Sequence, residues 1–387
     1  MNGGFDAMPA WPARRALKVT MVVSHLAPKY GLESVALSTI GLLRQHFHVS
    51  VVCVGGTAAD TELSPGCTVL GPPLRGYRRV ASIWRLWRYS RQNRDDLVIL
   101  AGIWVALPWL FVAGASTAAK SIVWEHSLLK SKLLKSPKFR MFALAARILY
   151  PKAFTTVAVS EPVRRDLAVL VPRARVTVIP NSAGEYLNEN AERPQQLKDH
   201  IPRLITVGSL TQIKRQHLII QALTHLNEEV LLEIVGTGPE LDRLREVAKE
   251  HGVKDRVFFR GFLSPAEVQK RMHEADVLVH SSSAETFGLV YIEASAAQLP
   301  VVSTRTDVAQ FMIPTYVPGQ LCEPTPRGLA TAIKDALSAG VQTETWERAR
   351  RKRESEFGAE AVLAAWVDLL AGGQSPVSSS NGDHSPL

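Results

Sequence analysis

The chain alternates short apolar, β-branched runs with longer stretches whose apolar residues recur at helical spacing. One series of runs covers residues 17–24, 49–54, 68–70, 96–101, 121–125, 156–160 and 176–180. A second covers residues 204–208, 231–235, 257–259, 276–280 and 300–304. Runs that are apolar on both faces suit parallel strands covered by helices on each side. Helical spacing over residues 33–45 and 288–298 supplies connections of that kind. The pattern predicts two doubly wound α/β units, over residues 17–184 and 203–342, joined by the polar, irregular residues 185–202. Residues 1–16 and the Ser/Gly/Pro-rich residues 372–387 are expected to be disordered.

Residues 97–114 are 18 positions without a charge, which is long enough for a membrane span. Gly102 and Pro108 interrupt the run, so it is read as a buried strand followed by a buried helix. Residues 1–16 lack the uninterrupted apolar core of a signal peptide. The three cysteines, Cys53, Cys67 and Cys322, are scattered and have no metal-ligand spacing, which suits a reducing cytoplasm.

At 387 residues and 46% hydrophobic content, the chain can form two full cores. Its net charge of +9 hides an asymmetry. Residues 1–200 hold 26 Lys+Arg and 13 Asp+Glu, and residues 201–387 hold 19 and 23. The first half therefore favours an anionic partner: membrane, lipid phosphate or nucleic acid. Residues 75–94 carry arginines interleaved with Trp84 and Trp87, and read as a surface helix with snorkelling arginines rather than a nucleic-acid site. Residues 128–150 set Lys130, Lys132, Lys135, Lys138, Arg140 and Arg147 among apolar residues such as Leu133, Leu134 and Phe139. Such a segment either lies on an anionic membrane or packs on its domain with a solvated basic face.

Candidate chemistry concentrates after the run at 276–280. A small polar loop, Ser281 to Thr286, leads into helical spacing from Gly288, with Thr286 the expected cap. Amides at a helix start attract phosphate, and Gly288 lets a diphosphate approach the backbone. Glu285 and Glu293 stand eight positions apart, roughly 12 Å if the geometry were helical throughout. That span could set one carboxylate by a sugar and the other by a ribose, although the bare spacing equally fits two solvated glutamates on a surface helix.

Glu285-Thr286-Phe287-Gly288-Leu289, Glu293 and the following Leu299-Pro300-Val301-Val302 closely resemble the signature of the retaining glycosyltransferases of family 4, which have the GT-B fold. The resemblance spans residues 17–370 and is strongest after Arg203. It implies a nucleotide-sugar donor, with a UDP-sugar expected, held mainly by the second domain. It also implies that residues 343–371 form a terminal helix crossing back to the first. In the family pattern Gly-Arg-Leu is followed by three residues and then a lysine, and the arginine and lysine clasp the diphosphate. Here Gly208 and Lys214 match, Ser209 replaces the arginine, and Arg215 is a candidate substitute. The family's Gly-Gly-x-Glu becomes Tyr30-Gly31-Leu32-Glu33, and a glycine pair becomes Arg305-Thr306-Asp307. His126, after the run at 121–125, resembles the family's histidine that contacts the donor sugar. The backbone near Phe262 is expected at the base, and Gly236 in the donor site.

The expected activity is hexosyl transfer to a hydroxyl of a lipid-linked or cell-surface glycan, with retention, in the cytoplasm or peripherally at the inner face of the membrane. Glu285, Lys214 and His126 are the expected catalytic residues. No Asp-x-Asp occurs in the chain, so no metal is expected to hold the diphosphate. A glycosyltransferase-like subunit without turnover, and a nucleotide-sugar epimerase on the same fold, are the alternative readings. A nucleic-acid partner is not expected.

Overall fold

Every run of the first series becomes a parallel strand in the computed structural model, which describes residues 17–26, 31–72, 78–92, 97–129, 137–183, 201–227 and 229–372. The strands are β1 (Lys18–Val23), β2 (His48–Cys53), β3 (Thr68–Val69), β4 (Leu97–Ala101), β5 (Ser121–Glu125), β6 (Thr155–Ala158) and β7 (Val176–Val178). They are ordered β3-β2-β1-β4-β5-β6-β7. The second sheet holds β8 (Arg203–Val207), β9 (Leu231–Val235), β10 (Val257–Gly261), β11 (Val277–His280), β12 (Val301–Thr304) and β13 (Gly319–Cys322). Its order is β10-β9-β8-β11-β12-β13. Every residue of β5, β6, β11 and β12 is buried. Helices on both faces explain why these strands read as continuous apolar runs.

Sequence pattern missed β13. Gly319-Gln320-Leu321-Cys322 has no apolar run, and it is a strand because it pairs with β12. A Cβ on Gly319 would come within 2.2 Å of the Val301 carbonyl oxygen, so only glycine fits that pairing.

Strand order reverses between β1 and β4 in the first sheet and between β8 and β11 in the second. Ligands of open α/β sheets bind at such switch points, beyond the carboxyl ends of the strands. The loops after β8 and β11 lie side by side for that reason.

The uncharged run at 97–114 is β4 followed by the helix Ile103–Val112. Among the described residues no helix is long and apolar enough to cross a membrane. The expected single terminal helix is two, Thr343–Phe357 and Ala359–Leu370. They break at Gly358, where a Cβ would lie 2.3 Å from the Glu354 carbonyl oxygen. The first packs on the helix Leu289–Ala296 of the second domain. The second packs on the helix Gly31–Leu43 of the first domain, with Trp366 edge-on to Trp124 of β5. Residues 1–16, nearly all of the expected linker at 185–202, and the tail after Gly372 lie outside the described residues.

Direct contacts also join the domains. Ser160, which caps the helix Glu161–Leu170, donates its hydroxyl to the Thr286 carbonyl. Arg165 pairs with Asp307 at 3.7 Å.

Candidate active site

Serines hold the loops after β8 and β11 together. The Ser281 hydroxyl donates to the carbonyls of Lys214 (2.8 Å) and Arg215 (2.9 Å), and the Ser283 amide donates to Ile213 (2.8 Å). Gly208, at φ 148°, turns the chain out of β8, and Arg215 returns it through a left-handed conformation at φ 48°. The result aims Lys214 across the switch point. Its Nζ lies 2.5 Å from Oε1 of Glu285.

The same carboxylate oxygen lies 2.6 Å from Nε2 of His280, the last residue of β11. Burial alone would raise the Glu285 carboxyl, but the hydrogen bond and charge of His280, then Lys214, hold it down at about 2. His280 is buried, and its ring sits edge-on to Tyr291 at 5.4 Å. The Tyr291 hydroxyl in turn shares a 2.9 Å hydrogen bond with Ser303 of β12. Sequence reading missed His280 because it closes an apolar run and looked like part of the strand. Its signal was a histidine at the carboxyl end of a fully buried strand, five positions before the glutamate.

The following helix begins one residue later than expected, at Leu289, with Gly288 as its cap. Thr286 is not the cap; its carbonyl faces Ser160 instead. Gly288 takes φ 82°, and a Cβ there would meet Tyr291 at 2.5 Å and Val308 at 2.9 Å. Phe287 is buried, so backbone around Gly288 and Leu289 is what this turn presents. Since the helix starts at Leu289, helical geometry does not run from Glu285 to Glu293. Glu293 sits on the second turn, still partly exposed, and burial of its carboxyl pushes it up to about 7.

Gly236 packs backbone on backbone: a Cβ would lie 1.9 Å from the Gly208 carbonyl oxygen. The Ser209 carbonyl accepts from Gln216 at 3.1 Å. Arg215 departs from expectation. Its guanidinium donates to the Ser281 and Ser282 carbonyls at 3.0 and 3.1 Å, so it braces the β11 loop and does not replace the missing arginine. Phe262 is exposed just after β10. In Arg305-Thr306-Asp307, Thr306 caps the helix Asp307–Met312 and Asp307 reaches Arg165.

On the first domain, the buried Glu125 shapes the loop that carries His126. Its Oε1 accepts the amides of His126 (3.1 Å) and Ser127 (3.0 Å), and Oε2 accepts the Tyr150 hydroxyl (3.0 Å). The His126 ring packs edge-on to Trp124 at 4.3 Å, and burial pushes it down to about 3. Its Nε2 has no hydrogen-bond partner among the described residues. No hydrogen bond joins His126 to Lys214 or Glu285 among the described residues; Gly31 opens the helix Gly31–Leu43, and Tyr30 lies outside them.

Two parallel-sheet domains, with a lysine–carboxylate pair at the switch point of the second, define a two-domain GT-B architecture. Comparison with known proteins agrees. The family model "Glycosyl transferases group 1" matches residues 188–353, and "Glycosyl transferase 4-like domain" matches residues 30–182. The chain belongs to the group 1 glycosyltransferases. It is 31% identical over 172 residues to the lipopolysaccharide core biosynthesis glycosyltransferase LpsE of Rhizobium meliloti, covering 44% of this chain and 50% of that protein. The chain thus spans about half the length of the curated relatives it matches. HepE of Anabaena, solved with UDP and glucose, superposes with a TM-score of 0.71 at 20% identity, covering 92% of this chain and 100% of that one. Sucrose-phosphate synthase from Thermosynechococcus elongatus superposes at 0.74 with 18% identity, covering 92% and 98%.

Proposed function

We propose that this protein transfers a hexose from a UDP-sugar to a hydroxyl of a lipid-linked or cell-surface glycan, with retention at the anomeric carbon and without a metal. The observation that carries the reading is the Lys214–Glu285–His280 cluster between the β8 and β11 loops. LpsE, by its name, acts in lipopolysaccharide core biosynthesis, which supports an envelope acceptor, and with such an acceptor the reaction would run in the cytoplasm at the inner face of the membrane.

Lys214 and the amides after Gly288 stabilise charge on the departing diphosphate. Glu285, kept ionised by its two partners, accepts from hydroxyls of the sugar, while Glu293 accepts from the ribose. His126 is neutral at physiological pH and stands just after β5, on the first domain's side of the sugar. The bond from the anomeric carbon to phosphate oxygen breaks, and the bond to acceptor oxygen forms on the same face. The acceptor's proton passes to the departing phosphate.

Calorimetry separates the two glutamates. Glu293→Ala weakens UDP and UDP-sugar alike, because both carry the ribose. Glu285→Ala spares UDP affinity and lowers transfer. Equal loss of UDP affinity in both variants would overturn these assignments.

A further inference from the structure

The helix Pro137–Leu149 has two apolar faces. Ala143, Ala146 and Leu149 face the core, as a helix covering a sheet requires. The outward stripe is also apolar: Met141, Leu144 and Ile148 are 68%, 59% and 57% exposed. Three bulky apolar residues aligned at i, i+3 and i+7 on the solvent side are not a scatter of single exposures.

The neighbouring helix Ile103–Val112 repeats the feature. It contains no charge, and its outward Trp104 and Phe111 are 44% and 72% exposed. The two stripes join where the Trp104 ring meets Phe139 at 6.3 Å and Phe142 at 5.3 Å. On the other side of this helix packs Arg78–Gln92, presenting Trp84 and Trp87 with the guanidinium groups of Arg88 and Arg91 over their rings at 5.8 and 5.7 Å.

Charge decides what covers this face. Between residues 97 and 160 there are eight lysines and arginines and a single acid, Glu125, which is buried. Arg140 and Arg147 lie along one edge of the outward stripe, both exposed. A second copy of the chain would set these arginines against each other. Apolar side chains and tryptophans bordered by arginines instead match the boundary layer of an anionic bilayer.

We infer that the outward face of the helices Ile103–Val112 and Pro137–Leu149 docks on an anionic lipid surface, with Phe111, Met141, Leu144 and Ile148 inserted and Arg140 and Arg147 at the headgroups. This deepens the proposed transfer reaction, on which its purpose rests, by naming where a lipid-linked acceptor is met. Trp104 and Phe139 begin their helices, on the side of the sheet where β4 and β5 end and where His126 stands. An acceptor anchored in the bilayer would therefore reach the cleft from this rim.

The test is co-sedimentation of the full chain with vesicles of equimolar phosphatidylglycerol and phosphatidylcholine, and with phosphatidylcholine alone. Wild type pellets with the anionic vesicles and is released by salt. Arg140→Gln with Arg147→Gln lowers partitioning by roughly thirtyfold, from about a factor of five for each charge lost near the surface. Leu144→Ser with Ile148→Ser lowers it by at least about tenfold, and both variants keep the wild-type melting temperature because the side chains are exposed. Binding to neither vesicle overturns the inference, as does undiminished binding of the Ser variant. A dimer in sedimentation velocity that the Ser variant dissolves would give the face to a second copy and also overturn it. UDP-induced thermal stabilisation on the same samples keeps the two readings apart: a chain that UDP stabilises but vesicles do not bind keeps its proposed chemistry and loses only the membrane.

Discussion

Nε2 of His280 lies 2.6 Å from Oε1 of Glu285, the oxygen that Lys214 also reaches. His280 sits at the end of a buried strand, so it holds the carboxylate from the protein side while Lys214 holds it from the loop. It is a positioning residue. His280→Phe keeps the ring's bulk but removes the partner; turnover should fall roughly ten- to a hundredfold, with little change in KM for the donor. His280→Gln restores a donor and should recover most of the loss. Equal kinetics for Phe and Gln would reduce His280 to packing.

Lys214→Ala should lose about a hundred- to a thousandfold in kcat while folding normally, since charge on the leaving diphosphate grows in the transition state. A folded variant with wild-type turnover would remove Lys214 from the chemistry. The same substitution takes away one of the two groups that hold the Glu285 carboxyl down, so that carboxyl should titrate at higher pH than in wild type.

Glu293 should make stability depend on pH. Its folded value is raised to about 7 from the usual carboxylate range, so the neutral form is the one the fold favours. The site costs nothing below the unfolded value and becomes destabilising as pH rises through about 7. Glu293→Gln should therefore match wild type near pH 4 and be more stable above about pH 8, by roughly 3 kcal/mol at most. Urea denaturation at both values checks this; a constant difference would mean that Glu293 titrates normally.

Gly288→Ala should destabilise more than Gly252→Ala. Both glycines have positive φ, 82° and 68°, so each replacement strains the backbone by about 1–2 kcal/mol. Only at Gly288 does the new methyl collide, 2.5 Å from Tyr291 and 2.9 Å from Val308, whereas nothing lies within 4 Å at Gly252. Overpacking adds about 1–3 kcal/mol. Denaturation midpoints of the two variants measure the difference.

The strands were legible because a parallel strand buried on both faces must be apolar at every position, and that signature survives without any partner in view. Ser121–Glu125 and Leu231–Val235 match their runs residue for residue. The loop after β11 was legible as a candidate site because it follows a buried strand at its carboxyl end, whereas Lys214 was picked out by resemblance to the family pattern; the structure brings its Nζ to 2.5 Å from Glu285. Residues whose roles depend on a neighbour far away in sequence were not legible. Arg215 looked like a free cation until the β11 loop was seen to take its guanidinium. Thr286 looked like a cap until Gly288 was found at a positive φ, pressed against Tyr291 and Val308.

By itself, then, the chain's apolar periodicity determined two parallel-sheet domains, and its loop composition, with the family resemblance, pointed to the loops after β8 and β11 as the candidate site. Periodicity is a local property, set by which faces of an element must avoid water. Only the tertiary structure decided that β13 is a strand, that the terminal helix breaks at Gly358 to serve both domains, and that His280 stands behind Glu285. It also decided that the stripes of two helices merge into one exposed apolar face at Trp104 and Phe139. Each of these depends on two segments far apart in sequence meeting in space, and no pattern within either segment records the meeting.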